Sequence, residues 1–153
     1  MIKGLDHTAL SVSSLEKSLA FYKGILGFEL IRTIECAPDM RLGEVVGIPG
    51  CSAKIAHLQK GAMMLELFEY VKPRGRKIPE NKTQADNGWS HLGFTSTDVR
   101  ADFADLKGKG VSFIGNPVEF RPDVWIVYFH GPDGEVCELR QTPEAVLVCQ
   151  HAE

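Results

Sequence analysis

The chain has 153 residues, 44% of them apolar, enough for one compact domain or two small modules sharing a core. A net charge of −3 offers no basic field for nucleic acid, and no apolar run of about 20 residues exists to span a membrane. Met1 leads straight into strand-like sequence without a basic and then apolar leader, so a cytoplasmic protein is expected.

Leu5 to Val12 alternates with period two and reads as a strand. Ser13 with Glu16 has capping-box spacing, and Leu15, Leu19, Tyr22 and Leu26 follow as one helical stripe that Gly24 and Gly27 end. Phe28 to Ile34 reads as a second strand. Residues 38–52, with Pro38, Gly43, Gly47, Pro49 and Gly50, read as a loop with a short strand or turn inside it. Lys54 to Gln59 and Ala62 to Tyr70 are two more strands, joined at Lys60-Gly61. The first module, about residues 3–70, is therefore βαβββ.

Residues 71–87 form a polar linker with Lys72, Arg74, Arg76, Lys77 and Lys82, which reads as a solvated loop or as a lid offering positive charge to an anionic substrate. The second module, about residues 88–142, starts with a strand at His91 to Ser96. Ser96 or Thr97 then caps a helix over about 98–107, which Gly108 and Gly110 end. Val111 to Gly115, Val124 to His130 and Glu135 to Gln141 complete a second βαβββ, with Gly131 to Gly134 as a turn. Residues 143–153 are a tail. Cys36, Cys51, Cys137 and Cys149 lack metal or redox spacing, which fits a reducing compartment; Cys137 is expected in the core.

The two modules repeat. His91 follows His7 by 84 residues, and the same offset carries Gly4 to Gly88, Leu15 to Val99 and Leu19 to Phe103. Leu65-Glu66-Leu67 closes the first module and Cys137-Glu138-Leu139 the second, 72 residues apart. Strand alternation sends Leu10, Val12, Leu92, Phe94, Leu65, Leu67, Cys137 and Leu139 toward the helices. His7 and Ser11, His91, Glu66 and Phe68, and Glu138 and Arg140 take the other face. Two imidazoles and two carboxylates converging in a semi-apolar cavity need a reason: the buried carboxylates repel each other and lose hydration, and a divalent cation resolves both problems. This N2O2 set suits Ni, Co, Zn, Mn or Fe(II), one ion per site. An octahedral ion would keep two positions for water or substrate. His57 and His130 lack repeat partners and are assigned structural roles.

Through DHTALSVSSLEKSLAFYKGILGFEL, MLELFEY, SHLGFTSTDV and YFHGPDGEVCEL, the chain resembles the vicinal oxygen chelate superfamily over about residues 4–142. That superfamily includes glyoxalase I, methylmalonyl-CoA epimerase, extradiol dioxygenases and bleomycin- or fosfomycin-resistance proteins. The resemblance implies an α+β fold of paired βαβββ modules, with His7, Glu66, His91 and Glu138 on the four metal-ligand positions. The quartet is most similar to bacterial glyoxalase I, a lyase in which a carboxylate moves a proton between adjacent carbons through an enediolate held by the metal. Ser11 and Tyr70 replace an Arg and an Asn that serve glutathione there, which argues against that cosubstrate. Gly131 stands where the family's closing motif has Asp.

The expected activity is a metal-dependent lyase or isomerase with a small-molecule substrate that offers two adjacent oxygens. Glu138 or Glu66 is the base. The alternatives are an epimerase, a ring-cleaving dioxygenase or a drug-sequestering protein. With Gly131 to Gly134 as a four-residue turn, Val127 lies opposite Glu138, and Trp125 and Phe129 line the cavity beside Ser11, Phe68 and Arg140. Small members of the superfamily commonly pair, so a homodimer is expected.

Overall fold

Both halves of the sequence fold with one topology. The computed structural model describes residues 1–143; the expected tail beyond Pro143, with Cys149, lies outside them. Two compact units divide the chain, one ending at Lys77 and the other beginning at Ile78. The first holds strands β1 (Thr8–Ser11), β2 (Glu29–Cys36), β3 (Ser52–Lys60) and β4 (Met63–Lys72), and helices α1 (Leu15–Leu19) and α2 (Leu42–Val46). The second holds β5 (Leu92–Thr95), α3 (Val99–Gly108), β6 (Val118–Arg121), β7 (Val124–His130) and β8 (Val136–Gln141). The sheet orders are β1-β4-β3-β2 and β5-β8-β7-β6. In each sheet the first strand lies parallel to the fourth, and the other pairs are antiparallel.

Each unit buries its own apolar face. α1 packs on β3 and β4, where Leu58, Leu65 and Leu67 are fully buried. α1 continues as a π-helical turn over Ala20–Ile25, closed by Leu26 N–H donating to the Phe21 carbonyl at 3.0 Å. The extra residue of that turn puts both Phe21 and Tyr22 inward, so Leu19 and Leu26 of the expected stripe are only half-buried. In the second unit α3 packs on β7 and β8, over Phe129 and Cys137, and the Phe129 ring meets Phe94 and Phe113.

The helix starts differ from the expected caps. Ser14, not Ser13, accepts from Lys17 N–H at 3.3 Å, and Asp98, not Ser96 or Thr97, accepts from the Arg100 and Ala101 N–H groups. A second cap repeats between units. Leu15 N–H donates to Glu69 Oε2 at 2.8 Å, and Val99 N–H donates to Gln141 Oε1 at 3.0 Å. Each side chain stands three residues after the Glu of its closing strand, tying that strand to the start of the helix. Gln141→Ala is expected to cost about 1 kcal/mol, the size of a lost cap, read as a Tm about 2–4 °C lower in thermal unfolding.

Three further expectations are corrected. Residues 42–46 form α2, which ends at Gly47 with φ 70 rather than running as loop or strand. Val111 to Gly115 makes only a bridge, Phe113 to Phe129; the edge strand is β6, after the break at Gly115-Asn116-Pro117. The β3–β4 loop is Gly61-Ala62, with Lys60 paired to Met63. That one-residue displacement moves the partner of Glu66 from Ile55 to His57.

Candidate metal centre

His7 and His91 sit just before β1 and β5, each beside the strand that carries its Glu. Ala9 pairs with Glu66 and Gly93 with Glu138. These small residues leave the carboxylates open; a Cβ on Gly93 would lie 3.4 Å from Glu138 Oε2. His7 Nε2 lies 3.4 Å from Glu66 Oε2, and His91 Nε2 lies 3.1 Å from Glu138 Oε2. The corresponding His and Glu of each unit thus lie side by side.

The other ring nitrogen is held by the preceding residue in both units. His7 Nδ1 donates to Asp6 Oδ2 at 2.9 Å, and His91 Nδ1 lies 2.9 Å from the Ser90 hydroxyl. Asp6 and Ser90 share the 84-residue offset, so the dipeptides DH and SH carried a signal that ligand spacing alone overlooks. The Asp6 bond raises the His7 pKa above its usual value; desolvation opposes this, and the Glu66 and Asp6 charges add to the rise. With Nδ1–H given to Asp6, the Nε2 lone pair of His7 faces the Glu66 carboxylate, and a cation or a proton belongs between them.

The donor spacing fits a metal ion. Ligand bonds of about 2.0–2.2 Å set neighbouring donors about 3.0 Å apart at right angles and about 3.4 Å apart in a tetrahedron. The two pairs, at 3.4 and 3.1 Å, are compatible with those spacings. Among the described residues, no group of three or more His, Cys, Asp or Glu is arranged to hold an ion.

His57, assigned a structural role from sequence, stands at the site. It is 8% exposed, pairs with Glu66 across β3 and β4, and brings Nε2 to 3.3 Å from Glu66 Oε1. The β7–β8 register also corrects two residues. The connection spans Gly131 to Glu135, one residue longer than expected, so Tyr128 rather than Val127 faces Glu138. Trp125 and Phe129 therefore turn to the helix side. Trp125 lies under the Arg100 guanidinium of α3, 4.7 Å from ring centre to Cζ, and Phe129 is fully buried among Phe94 and Phe113. A one-residue slip exchanges the faces of a whole strand.

Tyr128 takes the place those rings lose, edge-on to His91 with ring centres 5.1 Å apart. Burial, then the Glu138 charge, pushes its phenol up, while Arg140 works the other way, so Tyr128 remains a proton donor near neutrality. Arg140 follows Glu138 by two residues and shares its face. In the first unit Ser11 pairs with Phe68, on the face of Glu66, and Phe68 stacks on Tyr70 at 6.0 Å. His130 stays peripheral, with Nδ1 3.4 Å from the Gly134 carbonyl. Cys137 is fully buried, as expected.

The chain is similar to known proteins in sequence and fold. A family profile for the Glyoxalase/Bleomycin resistance protein/Dioxygenase superfamily matches residues 4–139. The 2-epi-5-epi-valiolone epimerase of Actinomyces sp is 32% identical over 159 aligned positions, covering 97% of this chain and 85% of that protein. A glyoxalase family protein from Bacillus cereus has a TM-score of 0.82 at 19% identity, over 94% of this chain and 97% of its own. The fosfomycin resistance protein FosX from Listeria monocytogenes, solved with Mn(II) and sulfate, has a TM-score of 0.63 at 19% identity, over 97% and 99% of the two chains. The α+β fold of two like four-stranded sheets is the fold of these proteins. With a profile that spans both His–Glu pairs, the chain belongs to the glyoxalase/bleomycin resistance protein/dioxygenase superfamily.

Proposed function

We propose that His7, Glu66, His91 and Glu138 hold one divalent metal ion, from one chain or from two paired copies. The protein is then an enzyme that moves a proton at a carbon next to a carbonyl. The observation that carries this reading is the recurrence of one His–Glu pair in each unit, at donor spacings that suit a shared ion. An ion held by these four residues would supply Lewis-acid chemistry, stabilising negative charge that develops on the substrate. Glu138 or Glu66 takes the proton from the neighbouring carbon and returns it to the product. The Tyr128 hydroxyl donates to an oxygen on which charge develops, a contact that strengthens as the reaction proceeds. Arg140 and Ser11 bind polar substituents, and Phe68 takes the apolar part.

Epimerisation begins with the same proton abstraction, and the relative that is an epimerase by name favours it as the second reading. The residues expected for glutathione are replaced by Ser11 and Tyr70, which argues against glutathione itself as cosubstrate. The reading includes a homodimer.

The deciding experiment is a substrate screen in D2O with metal-loaded protein, read by mass spectrometry. Its members are 2-oxoaldehyde–thiol adducts, 2-substituted acyl thioesters, 2-epi-5-epi-valiolone and catechols. Carbon-bound deuterium in one of the first three is the expected result. Oxygen consumption with a catechol and no wash-in elsewhere would replace proton transfer with ring cleavage.

A further inference from the structure

The two units agree in role at the His, at the residue before it, at the small residue beside the carboxylate and at the helix cap. They differ across from the carboxylate. Tyr128 faces Glu138, whereas His57 faces Glu66 and is itself held from behind. Arg32 Nε donates to His57 Nδ1 at 3.2 Å, and Arg32, His57 and Glu66 are successive register partners across β2, β3 and β4. A guanidinium only donates, so His57 Nδ1 must carry its lone pair and Nε2 the hydrogen. Nε2 lies 3.3 Å from Glu66 Oε1, within ion-pair distance, while Oε2 faces His7.

We infer that Arg32 and His57 form a positioning relay, Arg32 to His57 to Glu66, that fixes Glu66 as a one-oxygen metal ligand. The inference rests on the proposed metal centre and deepens it. The relay occupies Oε1, aims Oε2 at the ion and opposes rotation of the carboxylate. His57 is buried and placed by its strand; Arg32 is exposed, at the edge strand of the sheet. Neither residue is itself a ligand, because the only ring nitrogen of His57 near the site carries a hydrogen. Outer partners of this kind tune the affinity of the ion they never touch.

Titration of the full-length chain with Co(II) tests this, with affinity read by chelator competition and geometry by the visible absorption of bound Co(II). His57→Ala is expected to weaken Co(II) binding about 10–100-fold, the usual scale for outer-shell partners, with the coordination spectrum retained. Arg32→Met leaves the core intact and is expected to shift affinity the same way by several-fold. His57→Gln, whose amide N–H again reaches Glu66, is expected to recover most of the loss. Affinities for His57→Ala and Arg32→Met within about twofold of wild type would overturn the relay. So would a His57→Gln chain as weak as His57→Ala, which would reduce His57 to packing. A loss well beyond about 100-fold with lowered coordination number would overturn it too, by placing His57 on the ion. A wild-type chain that takes up no Co(II) would remove the metal centre itself, a result distinct from unchanged variants on a binding wild type.

Discussion

A Glu138→Gln chain is expected to lose carbon-bound deuterium uptake by about 10²–10⁴-fold, the usual contribution of a positioned general base. That range corresponds to about 2.7–5.5 kcal/mol of transition-state stabilisation. The choice of Glu138 over Glu66 follows from their neighbours. Glu66 has one oxygen against His57 and the other toward His7, while Glu138 has His91 on Oε2 and the Tyr128 ring across the sheet. Glutamine keeps the shape and one donor oxygen, so the fold and much of the metal affinity should survive. The measurement is the rate of deuterium incorporation at saturating metal, with bound metal quantified in the same samples. Wash-in at the wild-type rate in Glu138→Gln, with Glu66→Gln inactive, would transfer the base to the other carboxylate.

The second large effect is on metal binding. His91→Ala removes one donor and leaves Glu138, 9% exposed, without its imidazole partner. Metal affinity is expected to fall by more than the about 100-fold typical of outer-shell changes. Thermal unfolding reports this without a substrate. At a free metal concentration 100 times the wild-type Kd, binding stabilises the wild-type fold by about 2.7 kcal/mol, and a variant 100-fold weaker by about 0.4 kcal/mol. For a chain of this size the wild-type Tm should then rise by about 5–11 °C with metal, and the variant's by about 1–2 °C. Equal and negligible metal shifts in both chains would remove the metal centre and favour a protein that sequesters a small molecule without chemistry.

Local chemistry made the fold and both His–Glu pairs legible in the sequence. Period-two alternation separates Glu66 from Leu65 and Leu67, and Glu138 from Cys137 and Leu139, wherever the strand lies. The 84-residue offset then marks His7 and His91 as one position used twice. Side-chain alternation needs no knowledge of partners, so these assignments carried over into the sheets unchanged.

Partners are what sequence spacing could not provide. Whether Val127 or Tyr128 faces Glu138 depends on whether four or five residues cross the Gly131 to Glu135 connection, and one residue exchanged Trp125 and Phe129 for Tyr128. A displaced two-residue loop at Gly61-Ala62 likewise set His57, rather than Ile55, against Glu66. Arg32 joins His57 only through the pairing of β2 with β3, 25 residues apart in the chain. By itself the sequence determined which residue types could serve a metal and which face of a strand they occupy, because alternation is local. Tertiary structure alone decided which side chains surround each carboxylate, because register is set by loop closure and pairing between strands distant in sequence.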